Sequence, residues 1–282
     1  MNIINDSFLS SEQLPIRYSY YYSNSEIAPL VLFIHGFKGF KDWGAFPYAC
    51  EKIAESGYSV LAINLSRNGT DEQLVHFNRL DLFANQTFSQ DLQDVLTTID
   101  YVRANPKKFP QANIHKIALL GHSRGGHTVI PAAAEYASKV QCVITWASVA
   151  NYNKRWSESS INDWKTKGYT EMLNGRTKQM MRINKVVYED ALEHEQRLMA
   201  DHRVAELQTP LCIIHGENDE AVSVDEARIL YEKATSKTKE LHLINDTGHT
   251  FGSAHPFDPN ESLPASFHEL IKITTTFLKE HL

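Results

Sequence analysis

Six short, nearly unbroken apolar runs punctuate the chain and restrict its fold more than any other feature. They are "APLVLFIHGF", "YSVLAINLS", "HKIALLGHS", "VQCVITWAS", "TPLCIIHGEND" and "KELHLINDTGH". Each is too short for a helix and lacks a polar alternate face, as expected of strands covered on both sides. Helical periods lie between them: Pro47 to Ser56 ahead of a Gly57 stop, Ser89 to Ala104, Asp225 to Thr235 and Ser266 to Leu282. In the second of these, Leu92, Val95, Leu96, Ile99 and Val102 fall on one face. Strand alternating with helix predicts an α/β fold with a mainly parallel central sheet flanked by helices. Ahead of it, "IRYSYYY" is read as an antiparallel edge strand.

One region interrupts the rhythm. Residues 151–205 contain no clear strand pattern and sit between two core strands, so they are read as a helical cap insertion. The core is then 1–150 with 206–282. Composition narrows the function classes. The 282 residues carry 28 basic and 34 acidic groups, a net charge of −6, which argues against nucleic-acid or anionic-membrane partners. The start, "MNIINDSFLS", shows no signal peptide, and no run reaches the length of a membrane span. Cys50, Cys142 and Cys212 are odd in number and far apart, and they read as reduced core residues, not as a disulfide framework or metal site. The expectation is a soluble cytoplasmic protein.

The third apolar run leads into Gly121-His122-Ser123-Arg124-Gly125, and a helical pattern follows at once. This is G-x-S-x-G in a strand–turn–helix setting, where a sharp bend lifts the serine above the sheet and only glycine fits beside it. A serine hydroxyl needs a base to take its proton and an acid to orient that base. Asp219 at the end of "LCIIHGEND" and His249 in "DTGHTF" supply them, in the chain order Ser123, Asp219, His249. All three follow strand C-termini, where open α/β sheets bind ligands. Glu217, Glu220 and Asp246 are alternative acids, Glu220 the stronger rival. His255 is the alternative base, while His35, His122 and His215 read as structural. Two backbone N–H groups should face the developing oxyanion: that of Arg124, and one from the "HGFKG" turn, assigned to Phe37.

With these residues in place, the chain resembles the α/β-hydrolase superfamily. The "HGF" turn, "GHSRGG", "HGENDEAV" and "TGHTF" carry the likeness, which spans Pro29 to Leu282. Within the superfamily it is similar to serine carboxylesterases of the cinnamoyl- or feruloyl-esterase-like and dienelactone-hydrolase-like groups. Dienelactone hydrolases proper carry cysteine where this chain has Ser123. The resemblance implies ester cleavage through an acyl-enzyme on Ser123, with no metal and no cofactor, acting on a small or aryl ester. An aminopeptidase-like hydrolase and a non-catalytic binding protein are the competing readings.

Specificity is expected in the insertion. Between Asn151 and Val187 eight basic residues stand against three acidic ones, a net of +5 that would attract carboxylate-bearing substrates or merely solvate a helix face. Trp156, Trp164 and Tyr169 would either line an aryl pocket or pack the cap onto the core. Residues 66–93 form a long polar segment with no assignable contact.

Overall fold

The computed structural model describes residues 1–23, 26–71 and 76–282. Each of the six apolar runs forms a strand. They are β3 (Ala28–Ile34), β4 (Ser59–Ile63), β5 (Ala112–His122), β6 (Cys142–Trp146), β9 (Leu211–Gly216) and β10 (Lys239–Ile244). With β1 (Asn2–Leu9) and β2 (Pro15–Tyr22) they make one eight-stranded sheet in the order β1-β2-β4-β3-β5-β6-β9-β10. The pairs from β4 through β10 are parallel, whereas β2 runs antiparallel to both β1 and β4. The expected edge strand is therefore interior. The edge is β1, whose polar, mostly exposed "NIINDSFL" carries little apolar signal. Only Phe8 on it is buried, stacked on Tyr101 at 4.1 Å.

The strand order places the site. From β3 the chain steps outward to β4, then returns to the other side of β3 to form β5. The connections leaving β3 and β5 diverge, which opens a crevice at their C-terminal ends. Ser123 follows β5, and residues 35–39 follow β3.

The helices begin and stop for local reasons. Pro47 opens α1 (Phe46–Glu55), and Gly57 at φ 103° turns the chain back toward β4. The Thr87 hydroxyl caps α3 (Phe88–Ala104) by accepting from the Gln90 N–H at 3.2 Å. The amphipathic helices α1 and α10 (Ala265–His281) cover one face of the sheet, and α3 and α4 (Arg124–Glu135) cover the other.

The segment joining β6 to β9 is not wholly helical, which corrects the reading from sequence. It contains α5 (Glu158–Lys167) and α6 (Lys185–Glu193), and between them an antiparallel hairpin of β7 (Tyr169–Leu173) and β8 (Met180–Asn184). Two short helices, α7 (Glu195–Leu198) and α8 (Ala200–Arg203), lead back to the core. The signal that marks the hairpin is "MLNGRTKQMM": an Asn-Gly turn between short apolar runs. Asn174 Oδ1 accepts from the Arg176 and Thr177 N–H groups, and Asn174 N–H bonds the Gln179 carbonyl at 2.9 Å. Gly168, at φ 78°, ends α5 and releases the chain into β7.

The hairpin rests on part of the 66–93 segment. Gln179 bonds the Phe77 N–H and carbonyl through its amide, at 3.1 and 2.9 Å. Asn184 N–H reaches the carbonyl of Ala84, just past α2 (Leu80–Phe83). Residues 72–75 of that segment lie outside the described residues.

The β5–α4 bend is the tightest place in the fold. A Cβ on Gly125 would lie 2.2 Å from the Ile34 carbonyl oxygen, whereas one on Gly175 at the hairpin tip would meet open space. We expect Gly125→Ala to destabilise the protein by about 3 kcal/mol or more, since backbone must move. Gly175→Ala should stay within about 0.5 kcal/mol. Urea unfolding of both variants checks this, and similar midpoints would contradict it.

Candidate functional site

Ser123 sits on the bend at φ 55° and ψ −114°, a backbone region that side chains avoid unless their surroundings enforce it. Its N–H bonds the Trp146 carbonyl at 2.8 Å, and its carbonyl accepts from His127 N–H at 3.0 Å. Both flanks are thus fixed, by the neighbouring strand and by the first turn of α4. Gly36 faces it so closely that an added Cβ would meet Ser123 Cβ at 2.9 Å. Gly36 therefore lets the β3 loop pass over the serine.

Asp219 and His249 come from the turns after β9 and β10. His249 Nδ1 donates to Asp219 Oδ2 at 2.7 Å, leaving Nε2 for another partner. The second oxygen of Asp219 accepts the N–H groups of Ala221 and Val222, both at 2.8 Å. His215 Nε2 lies 2.9 Å from the Val222 carbonyl and 3.2 Å from Asp219 Oδ2, two acceptors that assign its proton to Nε2. Burial would push the Asp219 carboxyl up. The hydrogen bonds from His215 and His249 and the Val222 N–H outweigh it and hold the group well below the usual carboxylate range.

Ser123 and His249 line one cavity of ≈ 210 Å³. No hydrogen bond joins their side chains in this structure, a contact that in such sites commonly tightens only around substrate. His122 also lines the cavity, 4.8 Å from the His249 ring between centroids, and its Nε2 donates to the His249 carbonyl at 2.9 Å. Burial first, then the nearby His249, pushes the His122 imidazole down to about 3. It is a neutral strut under the loop.

The rivals lie elsewhere. Glu217, Glu220 and Asp246 are exposed. His255 Nδ1 accepts the Gly44 N–H at 2.8 Å and its ring stacks on Trp43. His35 is fully buried, its Nε2 accepting the Leu65 N–H. Of the two residues assigned to the oxyanion, Phe37 lines the cavity. Arg124 is the first residue of α4, and its side chain turns away into the protein.

The rest of the lining departs from expectation. The aromatic walls are Phe37, Trp43 and Phe46, all from the core, and the hairpin tip contributes Asn174 and Arg176. Trp164 is in neither this lining nor the adjoining void: it is buried, bonds the Ile183 carbonyl and stacks on Tyr188. Tyr169 lies under the Arg182 guanidinium at 3.7 Å. Trp156 borders a separate void of ≈ 30 Å³ behind Phe37 and Arg124, about the share of one water and too small for an aryl ring. Asn174 escapes sequence reasoning, and Arg176 enters it only as one of the eight basic residues between Asn151 and Val187, because a hairpin tip reaches the site only through tertiary packing. The Asn-Gly turn was the local signal for their place at a hairpin tip.

Beneath the bend lies a buried polar network. Arg124 Nε donates to Asp91 Oδ2 at 2.6 Å and its Nη2 to the Gln86 carbonyl at 2.8 Å, while the guanidinium covers the Phe88 ring at 4.1 Å. One turn on, Asp94 accepts from the Ser66 N–H and the Gln90 amide, both at 2.7 Å. Away from the cavity, potential metal-ligand atoms of Cys212, Glu240 and His242 lie within 4.8 Å of one another. No helix among the described residues is long and apolar enough to cross a membrane.

Sheet order, bend and flanking helices define an α/β-hydrolase. The sequence matches the prolyl oligopeptidase family over residues 45–261, and the chain belongs to that family, whose members of this type are serine hydrolases. It is 22% identical to the uncharacterized peptidase YuxL of Bacillus subtilis (strain 168), over 81% of this chain and 32% of the relative. It is 25% identical to the uncharacterized peptidase YtmA of the same organism, over 63% of this chain and 61% of that one. The matches thus span less than two thirds of either relative. Among solved structures, Est1E from Butyrivibrio proteoclasticus with ferulic acid bound superposes with a TM-score of 0.73 at 19% identity, covering 98% of both chains.

Burial pushes Asp94 up to about 7. Its unfolded value is about 4, so between about pH 4 and pH 7 the folded state keeps a proton that the unfolded chain has lost. Stability from this group is full below that window and falls as pH rises through it, on the order of 1 kcal/mol per pH unit. We expect Asp94→Asn to flatten the decline in unfolding free energy between pH 5.5 and 7.5. Parallel profiles for variant and wild type would contradict the assignment.

Proposed function

We propose that the protein hydrolyses carboxylic esters of small molecules through Ser123, His249 and Asp219. One observation carries the reading: a serine in an enforced, otherwise avoided backbone conformation shares a cavity with an imidazole whose far nitrogen is held by a buried carboxylate. Ser123 Oγ attacks the ester carbonyl carbon as its proton passes to His249 Nε2, and Asp219 stabilises the imidazolium. The N–H groups of Phe37 and Arg124 receive the oxyanion. Collapse breaks the ester C–O bond, and His249 returns its proton to the leaving alcohol. Water then attacks the acyl-enzyme, giving its proton to His249, and the acid leaves as Ser123 recovers a proton. Each step needs only these groups.

Ester is favoured over peptide by the lining, in which no carboxylate among the described residues is available to hold a peptide's amino terminus. Est1E with ferulic acid supports the same reading by likeness of fold. Peptide hydrolysis is the second reading, favoured by the family and by the peptidase names of both relatives. A cytoplasmic setting belongs to the proposal too, supported by three free, buried cysteines.

We expect Ser123→Ala to lower kcat/KM for para-nitrophenyl acetate by about 10³-fold or more, with an unfolding midpoint close to wild type. Aryl esters should be turned over far faster than aminoacyl anilides. Retained esterase activity in the variant would end the proposal, and faster anilide cleavage would favour the peptidase reading.

A further inference from the structure

The sheet edge opposite β1 carries a cluster that the hydrolytic chemistry does not use. Cys212 and Glu240 are register partners in the parallel pair β9–β10, and His242 stands two residues beyond Glu240. Side chains two apart on a strand share a face, so all three project to one side of the sheet. That side is the one α10 covers: Cys212 packs in the same apolar layer as Phe267, Phe277 and Leu278. The thiol sulfur of Cys212, a carboxylate oxygen of Glu240 and an imidazole nitrogen of His242 lie within 4.8 Å of one another.

The end of α10 adds to them. A ring nitrogen of His281 and a carboxylate oxygen of Glu280 lie within 4.8 Å of each other and of an oxygen of Glu240. His281 Nε2 is buried with no hydrogen-bond partner among the described residues, a cost that native structures normally avoid. Its ring is held against Phe277, 4.5 Å between centroids.

The arrangement has the parts a metal site requires. Cys212 is free and fully buried, and it forms the floor. The side chains of Glu240 and His242 are each 36% exposed, so the rim gives an ion a path in. His242 Nε2 lies 2.8 Å from Glu240 Oε2, a gap that a proton bridges and that a small parting of the two side chains opens to a metal ion. Donor atoms on a tetrahedral zinc stand about 3.3–3.8 Å apart, as bonds of about 2.0–2.3 Å require. Side-chain shifts of about 1 Å therefore suffice. Donor type decides which ion is held. A soft sulfur with imidazole and carboxylate suits zinc, whereas magnesium and calcium call for oxygen ligands.

We propose that Cys212, Glu240 and His242 form a zinc site, with His281 as fourth ligand, that clips the end of α10 to the edge strand β10. On binding, the S–H bond of Cys212 gives way to a sulfur–zinc bond, and the proton passes to solvent. The site lies toward the N-terminal ends of β9 and β10, whereas Ser123, Asp219 and His249 follow strand C-termini. Its role is structural and independent of the ester-hydrolase reading. No local spacing announces it, because strand register joins Cys212 to Glu240 and helix packing brings His281 to them.

The full-length protein, stripped with a chelator, tests the proposal. In calorimetry a single zinc ion should bind per chain with a Kd of about 1 μM or tighter, and excess magnesium or calcium should not compete. With zinc at roughly a hundred times Kd, the thermal unfolding midpoint should rise by about 5 °C. Cobalt in place of zinc should give a thiolate-to-cobalt charge-transfer band in the near ultraviolet. The band should vanish in Cys212→Ser and persist in Cys50→Ser, whose thiol is buried on α1. His242→Gln, at a half-buried position, should leave the metal-free midpoint near wild type and weaken zinc binding by about 100-fold. It reads the site even where Cys212→Ser perturbs the fold. His281→Gln should weaken binding by about tenfold. No zinc binding overturns the proposal. Cobalt binding without the thiolate band, or zinc binding indifferent to His242→Gln, would mean an adventitious ion only, held by exposed carboxylates and histidines. An affinity that His281→Gln leaves unchanged would remove the fourth ligand and the clip with it.

Discussion

Backbone packed against backbone at the end of β5 is the constraint from which the rest of this structure follows. A Cβ on Gly121 would lie 2.3 Å from the Gly125 carbonyl group, and one on Gly125 would lie 2.2 Å from the Ile34 oxygen. With glycine at both positions, strand, turn and helix close to a separation that no other residue permits. Ser123 then has no choice of conformation, and the hydrogen bonds to Trp146 and His127 on either side keep it at φ 55°. The same closeness brings the β3 loop over the serine through Gly36. The buried Arg124–Asp91 pair, with Phe88 against the guanidinium, anchors the first turn of α4 from below. Strain at one residue is thus distributed over a sheet, a helix and a polar network.

The opposite wall is built differently. Asp219 accepts two backbone N–H groups on one oxygen and faces His215 and His249 with the other, so its charge is fixed and so is its orientation. His249 is held by that carboxylate and, through its own carbonyl, by His122. Two histidines beside the site therefore act as hydrogen-bonding struts, one under each loop. For His122 burial suits this, because its neutral imidazole offers a directed N–H without adding charge.

What could be read from residues alone follows from the range of the forces involved. The parallel strands were legible because burial on both faces leaves unbroken apolar runs, and the bend because Gly121, Ser123 and Gly125 answer a local steric demand. Asp219 and His249 were legible as polar residues just past strand ends. β1 was not, because an edge strand with one solvated face can be as polar as "NIINDSFL". Residues alone did not decide between a pocket-lining and a packing role for Trp156, Trp164 and Tyr169. Whether an aromatic side chain packs inward or lines a cavity depends on partners far along the chain, such as Tyr188 for Trp164. Arg176 reaches the cavity at the tip of a hairpin that Gln179 fastens to Phe77, a contact between residues about a hundred positions apart. The Asn174-Gly175 turn announced the hairpin but not its destination.

The central claim is that the folded chain activates one hydroxyl, that of Ser123, by holding His249 and Asp219 beside it. Reaction of the native protein with a fluorophosphonate, followed by peptide mass spectrometry, tests this most directly. The account requires a single adduct, on the peptide containing Ser123, lost when the protein is unfolded in urea before labelling and strongly slowed in His249→Ala. An unlabelled native protein, or labelling of Ser123 that is indifferent to unfolding and to the imidazole at 249, would contradict it.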